Sequence, residues 1–213
     1  MKLIGMLDSP YVRRVAICLD ALGLPFEHES VSVFSTFEKF QKINPVVKAP
    51  TLICDDGGVL MDSSLILWNV ELAKFGGRSP LWAEDAALRL LQFRAVSYAL
   101  TATEKAAQLV YETQLRPAAA QHEPWKARVR GQFQAGYAAL EALLGAAPAV
   151  TDGAPNHASI FAAIAWQFTQ SMIAEHVPAA KHPRLAALSE KFEALELFRR
   201  WPPDGPGVPA PAA

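Results

Sequence analysis

Cysteine is scarce in this sequence of 213 residues, which contains only Cys18 and Cys54 and no C-x-x-C arrangement. Two thiols placed in this way argue against a disulfide framework, which is typical of small secreted proteins, and suit a reducing cytoplasm.

An excess of charge of either sign is also missing, because the net charge is −1 and the isoelectric point is near 6.5. Without a long-range field that would attract nucleic acid or anionic lipid, we expect neither as a partner.

Long hydrophobic runs are missing as well. No stretch of the sequence approaches the roughly 20 apolar residues that a membrane-spanning helix requires. The N-terminus reaches the acidic Asp8 before any apolar run as long as that of a signal peptide. We therefore expect a cytoplasmic protein without membrane association. Its hydrophobic content of 51% is sufficient for a large core.

Several catalytic motifs are absent from the sequence too. The five histidines show no H-E-x-x-H sequence and no pairing at i and i+4, so we predict no metal site. There is no G-x-S-x-G, no phosphate-binding loop and no dinucleotide glycine fingerprint. The enzyme classes that depend on these motifs are excluded.

The first 77 residues show alternating strand and helix patterns. Lys2–Met6 is predicted to be a short buried strand, and Ser9 followed by Pro10 is a helix start, with serine as the cap and proline in the first turn. Gly23 is predicted to end that helix. The other elements predicted here are a strand over 26–33, a helix over 36–43, a hairpin of strands 51–54 and 59–61, and a helix over 63–75.

The rest of the chain shows only helical patterns after a predicted linker over 78–84. Four helices are predicted in residues 85–201: one from Leu88 to Arg116-Pro117, one from Trp125 to Gly145, one capped by Asn156, and one from His182-Pro183 to about Arg200. The first two are rich in alanine, so they can pack closely. Residues 202–213 are proline, glycine and alanine with almost no charge, and we predict a disordered tail.

Lys48-Ala49-Pro50 precedes the first strand of the hairpin. Proline confines Ala49 to extended geometry, so the main-chain groups of Ala49 pair with something other than a helix. A cis Ala49–Pro50 bond would turn those groups outward as a one-residue strand edge, which can bind an extended peptide by main-chain pairing. The alternative is an ordinary trans proline that opens a strand, since cis bonds are only about 5–6% of X–Pro bonds.

Three segments together resemble the glutathione site of the glutathione S-transferase family. They are Ser9-Pro10-Tyr11, Asn44-Pro45-Val46-Val47-Lys48-Ala49-Pro50 and Asp62-Ser63-Ser64-Leu65-Ile66. The family has a Ser or Cys before Pro-aromatic, then Asn-Pro-x-x-Lys-x-Pro, then Glu/Asp-Ser-x-x-Ile, in this order. The resemblance covers nearly the whole chain, up to about Trp201. It implies an α/β thioredoxin-like N-terminal domain over 1–77 and an all-α helical bundle over 85–201.

The sequence departs from the family pattern at two places. Val47 stands where the family often has glycine, which leaves the geometry of that turn open. Asn156-His157-Ala158-Ser159 replaces the usual Ser/Thr-x-x-Asp capping box. Ser159 can still reach back to the Asn156 backbone, but without a charge, and such a cap contributes about 0.5–2 kcal/mol.

The resemblance implies a role for each of these segments in binding glutathione as a co-substrate. Ser9 would stabilise the glutathione thiolate, and Ala49, next to Pro50, would pair with the cysteinyl unit through its main chain. Asp62 and Ser63 would hold the γ-glutamyl end, although a plain capping role is the alternative for both. Lys48 would meet the glycyl carboxylate, although a solvated lysine is an equal alternative. The candidate wall of an apolar electrophile pocket consists of Tyr11, Tyr98, Thr101, Ala102 and Trp166. The family is usually dimeric, with one first domain against the partner's second, and a homodimer is implied here.

Ser9 is the candidate catalytic residue for a physical reason. A thiol of pKa about 8.5 is only a few per cent ionised at neutral pH, and lowering that pKa by about 1.5–2 requires roughly 2–3 kcal/mol of anion stabilisation. A hydroxyl that donates to a charged acceptor contributes about 1.5–3 kcal/mol, and a helix N-terminus adds about 0.3–1 kcal/mol. One serine at one helix start is therefore sufficient, although a capping role alone is the alternative for Ser9.

Our leading hypothesis is a glutathione S-transferase that conjugates the glutathione thiolate to a small apolar electrophile. Two alternatives stay open. A glutathione-dependent isomerase would use the same site for thiolate addition and release. A non-catalytic glutathione-binding or interaction module would keep the fold without turnover, because one fold hosts many functions. Arg13 and Arg14, in the first helix, would either face the ligand or be surface charges, and we expect surface charges.

Overall fold

The computed structural model describes residues 1–205 and divides them into two compact units. The first unit contains Met1–Trp82 together with residues 195–205, and the second contains Ala83–Ala194. The boundary lies within the linker that the sequence predicts. The return of the C-terminal residues to the first unit was not predicted.

The first unit contains a four-stranded sheet with helices packed on it. Its elements are β1 (Lys2–Ile4), α1 (Pro10–Ala21), β2 (Glu27–Glu29), α2 (Phe37–Ile43), β3 (Thr51–Ile53), β4 (Val59–Met61), α3 (Ser63–Phe75) and, near the end of the described chain, α8 (Glu196–Arg199). The strand order is β2-β1-β3-β4. The pairing of β1 with β2 is parallel, whereas β1 with β3 and β3 with β4 are antiparallel. This confirms the predicted parallel β-α-β unit and the predicted hairpin.

The second strand is shorter than the sequence predicts. It covers Glu27–Glu29 rather than residues 26–33. The reason lies at Ser32, whose hydroxyl accepts hydrogen bonds from the N–H groups of Phe34 at 3.0 Å and Ser35 at 3.1 Å. A serine that bonds the backbone in this way forms a turn, so the chain leaves the extended geometry before residue 33.

Helix α1 lies at the centre of the first unit. Nine of its residues are buried, from Pro10 to Leu19, and it packs against α3 and α8. Its apolar side chains meet those of the central strands, where Leu3, Ile4 and Leu52 are fully buried. A second cluster contains Ile4, Val31 and Phe40, with Val47 and Ala49 packed against it. The segment before β3 is therefore fixed to the core.

The second unit is a helical bundle in which the described residues form no strand. Its α-helices are α4 (Ala86–Gln114), α5 (Glu123–Ala146), α6 (His157–Ile173) and α7 (Pro183–Glu193). Close packing of α4 on α5 confirms the expectation from their alanine content. A Cβ built on Gly136 would lie 3.1 Å from the Cβ of Ala102, tighter than most such contacts.

The last predicted helix is two helices. The sequence predicts one helix from His182-Pro183 to about Arg200, whereas α7 ends at Glu193 and α8 begins at Glu196. Leu195 between them is extended, with φ −70° and ψ 144°. The break directs the buried Phe198 toward α1, where the Arg13 guanidinium lies 5.4 Å from the centre of the Phe198 ring. Tertiary packing has overridden a continuous helical pattern here.

The predicted disordered tail is only partly covered by the structure. Residues 202–205 form neither helix nor strand, but the carbonyl of Asp204 accepts a hydrogen bond of 3.2 Å from the N–H of Asp8. The disorder of the tail stays a prediction. The rest of the predicted tail, 206–213, lies outside the described residues.

Candidate functional site

Ser9 occupies the N-cap of α1, as its sequence context predicts. Its backbone is extended, with φ −72° and ψ 119°, and Pro10 follows in the first turn. The Ser9 hydroxyl accepts a hydrogen bond of 3.4 Å from the N–H of Val12. A hydroxyl has two acceptor lone pairs and one proton, so a capping serine keeps its proton for another acceptor. The half-buried Ser9 can therefore cap the helix and donate to an anion at the same time.

The segment before β3 has the conformation that the sequence left open. The Ala49–Pro50 peptide bond is cis. Ala49 is half-buried, Pro50 is buried and Lys48 is exposed. Within residues 1–205, the N–H and C=O groups of Ala49 have no hydrogen-bond partner. These main-chain groups are therefore left for another partner, and their pairing with a ligand stays a prediction.

Two buried polar side chains hold this segment, and sequence reasoning missed both. The amide nitrogen of Asn44 donates to the Thr51 hydroxyl at 2.9 Å, and that hydroxyl donates to the carbonyl of Lys48 at 2.7 Å. The Asn44 side-chain oxygen accepts from the N–H of Val46 at 3.0 Å. Asn44 is only 1% exposed and Thr51 is fully buried, so these bonds are shielded from water. The sequence showed Asn44 as the first residue of the family-like segment, but not that its side chain would hold the backbone.

Val47 has a left-handed backbone conformation with φ 52°. This is the position where the family often has glycine, and glycine adopts positive φ without steric cost. The turn at Val47 therefore keeps a geometry suited to glycine, even though a β-branched residue occupies it. Its N–H donates to the carbonyl of Asn44 at 2.9 Å, which closes the turn.

Gly5 is where β1, α1 and the Ala49 segment come together. A Cβ built on Gly5 would lie 2.6 Å from a methyl carbon of Val12 and 3.2 Å from the Cβ of Ala49. Its φ of 140° is also one that L side chains rarely adopt. Only glycine lets the first turn of α1, which Ser9 caps, and the Ala49 segment approach the end of β1 this closely.

Asp62 and Ser63 begin α3, as predicted. Asp62 is exposed and is the N-cap, and its Oδ1 accepts from the N–H groups of Ser64 at 2.8 Å and Leu65 at 3.2 Å. Its φ of 72° lies in the left-handed region. Ser63 is 4% exposed. The Asp62 carboxylate therefore already occupies the N–H groups of Ser64 and Leu65 at this helix start.

The expectation that Arg13 and Arg14 are surface charges is wrong, since they are 1% and 3% exposed. The Arg14 Nη1 donates to the hydroxyl oxygens of Ser63 at 3.2 Å and Ser64 at 3.0 Å. Burial lowers the pKa of Arg14, whereas the charges of Cys18, Asp62 and Glu71 act in the opposite direction. A single sequence shows no partner for a helical arginine, so no signal was available to find this contact.

Arg13 has a different partner. Its Nε donates to the carbonyl of Trp201 at 2.7 Å, and its guanidinium lies over the Phe198 ring. Helix α1 therefore contacts the start of α3 through Arg14 and the C-terminal segment through Arg13. The structure brings Ser9, Ala49 and Ser63 around the first turns of this one helix.

Known proteins resemble both the sequence and the fold. The model of the glutathione S-transferase N-terminal domain matches residues 3–75. The uncharacterized GST-like protein YibF of Escherichia coli (strain K12) is 28% identical over 203 residues, which are 95% of this chain and 98% of that protein. The crystal structure of a glutathione S-transferase from Methylobacterium radiotolerans, in complex with glutathione sulfonate, is 28% identical with a TM-score of 0.85 and covers 100% of this chain and 99% of that one.

Residues 3–75 match the N-terminal domain of the glutathione S-transferase family, and the chain as a whole has the fold of these proteins. The predicted fold class, a thioredoxin-like N-terminal domain and an all-helical C-terminal domain, is thereby confirmed. A glutathione transferase family member from Pseudomonas fluorescens Pf-5, with bound glutathione, shares this fold at 24% identity and a TM-score of 0.80, with 96% of this chain and 99% of that one covered.

The residues predicted to contact the electrophile differ in exposure. Ala102 is fully buried against Gly136, and Trp166 is 3% exposed, with its ring 5.5 Å from that of Tyr137. Both are core residues of the helical unit, because small and aromatic residues at helical spacing pack between helices. Tyr98 is half-buried and Thr101 is exposed on α4, and Tyr11 is half-buried on α1.

Two general features of the described residues concern metals and membranes. Among the described side chains, no group of three or more His, Cys, Asp and Glu could hold a metal ion. Of the helices in residues 1–205, none is sufficiently long and apolar to cross a bilayer.

Proposed function

We propose that this protein is a glutathione transferase that ionises the thiol of glutathione and adds it to a small apolar electrophile. The observation that carries the proposal is the geometry of Ser9. Its hydroxyl caps α1 by accepting from Val12, so its proton is left for a sulfur anion at the same helix start. Both the hydroxyl and the helix N-terminus stabilise the thiolate, which is the nucleophilic form.

The binding of the glutathione main chain is proposed at Ala49 and the start of α3. The unpaired N–H and C=O of Ala49 would bond the cysteinyl unit beside the buried Pro50. The hydroxyl and N–H of Ser63 would bond the α-carboxylate of the γ-glutamyl unit, and the exposed Asp62 would pair with its ammonium group. Lys48 is exposed and would reach the glycyl carboxylate. The glutathione sulfonate and glutathione held by the two related structures support this ligand.

The remaining parts of the proposal come from the family. Tyr11, Tyr98 and Thr101 are the proposed electrophile contacts, since each exposes part of its side chain. Ala102 and Trp166 would support them from the core. We infer a homodimer and a cytoplasmic location from the family alone. A glutathione-dependent isomerase would use the same residues and differ only in the substrate.

A Ser9→Ala substitution tests the proposal. With a chloronitroarene as the electrophile, we expect conjugation to fall about 10- to 100-fold, because a hydrogen bond to a charged group contributes about 1.5–3 kcal/mol. Glutathione binding, measured by calorimetry, should persist. Ser97→Ala is the control, because Ser97 is exposed and its hydroxyl bonds only a carbonyl of its own helix. Unchanged turnover in Ser9→Ala would remove Ser9 from the mechanism.

The second candidate function is a non-catalytic glutathione-binding module. The hydrogen bond from Val12 to Ser9 favours it, since that contact explains the serine as a cap without catalysis. The unsubstituted protein distinguishes the two functions. Glutathione binding without conjugation of any electrophile in a panel would favour the module, and conjugation would exclude it.

A further inference from the structure

We propose that Arg14 is a positioning residue for the γ-glutamyl α-carboxylate, because it fixes the Ser63 hydroxyl as a hydrogen-bond donor. This inference rests on the proposed function, since it assigns a residue that acts behind the glutathione site. Arg14 would not touch the ligand. Its effect on binding would pass through Ser63.

The contacts of Arg14 show how this works. Its Nη1 donates to Ser63 Oγ at 3.2 Å and to Ser64 Oγ at 3.0 Å. Arginine has only donors and stays protonated in proteins, so both serine oxygens must act as acceptors in these bonds. Each serine is then left with its single proton for some other acceptor. Burial of Arg14 and Ser63 holds this arrangement in one geometry, since they are 3% and 4% exposed.

The start of α3 provides a second hydrogen-bond donor beside the Ser63 hydroxyl, namely the N–H of Ser63. The N–H groups of Ser64 and Leu65 are occupied by Asp62 Oδ1. The N–H of Ser63 has no acceptor within residues 1–205. Ser63 therefore offers two donors, its N–H and its hydroxyl, and a carboxylate has two oxygens that can accept them. Without the Arg14 guanidinium, the Ser63 hydroxyl could rotate to act as an acceptor, and one of the two donors to the carboxylate would be lost.

The charge around Arg14 supports the same role. Asp62 and Glu71 are the acidic groups whose charge favours the protonated guanidinium, and Cys18 and Tyr11 are the other titratable neighbours. A lysine keeps the positive charge but not the planar guanidinium, so the two serine contacts would not both be reproduced. Arg14→Lys therefore separates the geometry from the charge.

The experiment compares two ligands by calorimetry. One is glutathione, and the other is γ-aminobutyryl-cysteinyl-glycine, which keeps the ammonium group and lacks the α-carboxylate. In Arg14→Lys we expect the Kd for glutathione to rise about tenfold, which is about 1.4 kcal/mol, and the Kd for the analogue to stay within about twofold. With saturating glutathione, kcat should be unchanged, so the loss appears in KM.

Matched variants separate this role from a purely structural one. Arg13→Lys alters an equally buried guanidinium that bonds the Trp201 carbonyl instead, so it should not discriminate between the two ligands. In a Ser63→Ala background, Arg14→Lys should have no further effect on glutathione binding, because the effect passes through the serine. An equal loss for both ligands in Arg14→Lys would overturn the inference.

A measurement on the unsubstituted protein covers the case in which Arg14→Lys fails to fold. Glutathione should shift the NMR signals of the Arg14 guanidinium, and the analogue should leave them in place. Signals that glutathione leaves unmoved would overturn the inference while the proposed function stands. A wild-type protein that binds no glutathione would overturn both.

Discussion

At the scale of single residues, the site depends on buried polar side chains that a single sequence does not reveal. Ser9, Asp62 and Ser63 were predicted from the family resemblance, and each also stands beside a local signal, such as a proline or a helix start. Arg14 and Asn44 act on partners 49 and 7 residues away, and both are buried. Periodicity places a charged residue on a face of a helix, but only packing shows what that face contacts.

The Thr51 hydroxyl provides a test at this scale, since it bonds the carbonyl of Lys48 and accepts from Asn44. We expect Thr51→Val to lower the free energy of unfolding by about 1–3 kcal/mol, because the buried Asn44 amide loses its acceptor. Glutathione binding should weaken as well, because the Ala49 segment is less well fixed. Thr113→Val is the control, since its hydroxyl bonds the Leu109 carbonyl in its own helix. Urea denaturation and calorimetry measure the two effects, and wild-type values for both would contradict this account.

The two cysteines provide a prediction about reactivity. Cys18 is fully buried, and burial raises its pKa from 9.0 to about 12. Cys54 is partly exposed, and its pKa is raised by burial and by the charges of Asp56 and Asp55. Only Cys54 should react with an aromatic disulfide reagent at about pH 8, and slowly, because the thiolate is the reactive form.

The pH dependence of stability follows from the buried thiol of Cys18. The unfolded chain loses the Cys18 proton near pH 9.0 and the folded chain only near 12. The contribution of Cys18 to stability is therefore complete below pH 9.0 and is lost as the pH rises toward 12.

A Cys54→Ser variant should show no labelling by the disulfide reagent until it is denatured. Labelling of that variant under native conditions would contradict the burial of Cys18.

At the scale of helices and strands, local signals predict well and distant ones do not. The uncharged capping box predicted for α6 is present, with Asn156 Oδ1 bonded to the N–H of Ser159 at 3.0 Å and Ser159 Oγ bonded to the N–H of Asn156 at 2.9 Å. The residues involved are only three apart. The cap of α7 comes instead from Glu141 on α5, which no local pattern could show.

Glu141 allows a test of that distant cap. Its carboxylate accepts from the N–H groups of Arg184 at 3.0 Å and Leu185 at 2.9 Å, and the N-cap residue His182 makes no such bond. We expect Glu141→Ala to cost about 1–3 kcal/mol in unfolding free energy, because buried donors lose their acceptor. Glu190→Ala, at an exposed position of α7, should change the unfolding free energy by less than about 0.5 kcal/mol. Equal urea midpoints for the two variants would be evidence against this capping role.

At the scale of the whole molecule, the order of the two units could be predicted, because alternating patterns give way to helical ones at the linker. The return of the C-terminal residues to the first unit could not. It depends on contacts more than 170 residues apart in sequence, such as that of Trp201 Nε1 with Asp20 Oδ2 at 2.8 Å and the stacking of Trp201 on Phe26 at 4.9 Å.

Two truncations test the C-terminal anchor. Ending the chain after Ala194 removes the Trp201 carbonyl that accepts from Arg13 and the Phe198 ring beneath the guanidinium, and it exposes the core face of α1. Because a domain's total stability is only about 5–15 kcal/mol, we expect this protein to be insoluble or to melt far below the full chain. Ending it after Gly205 keeps these contacts and should leave the Tm unchanged. Equal Tm values for the two truncations would contradict the anchor.

The state of the bound thiol tests the central claim most directly. Titration of glutathione in complex with the protein, followed by the ultraviolet absorbance of the thiolate, gives the pKa of the bound thiol. We predict a value about 1.5–2 below the ordinary 8.5 in the wild type and a return toward 8.5 in Ser9→Ala. The same pKa in both proteins, or a wild-type value of 8.5, would contradict the account.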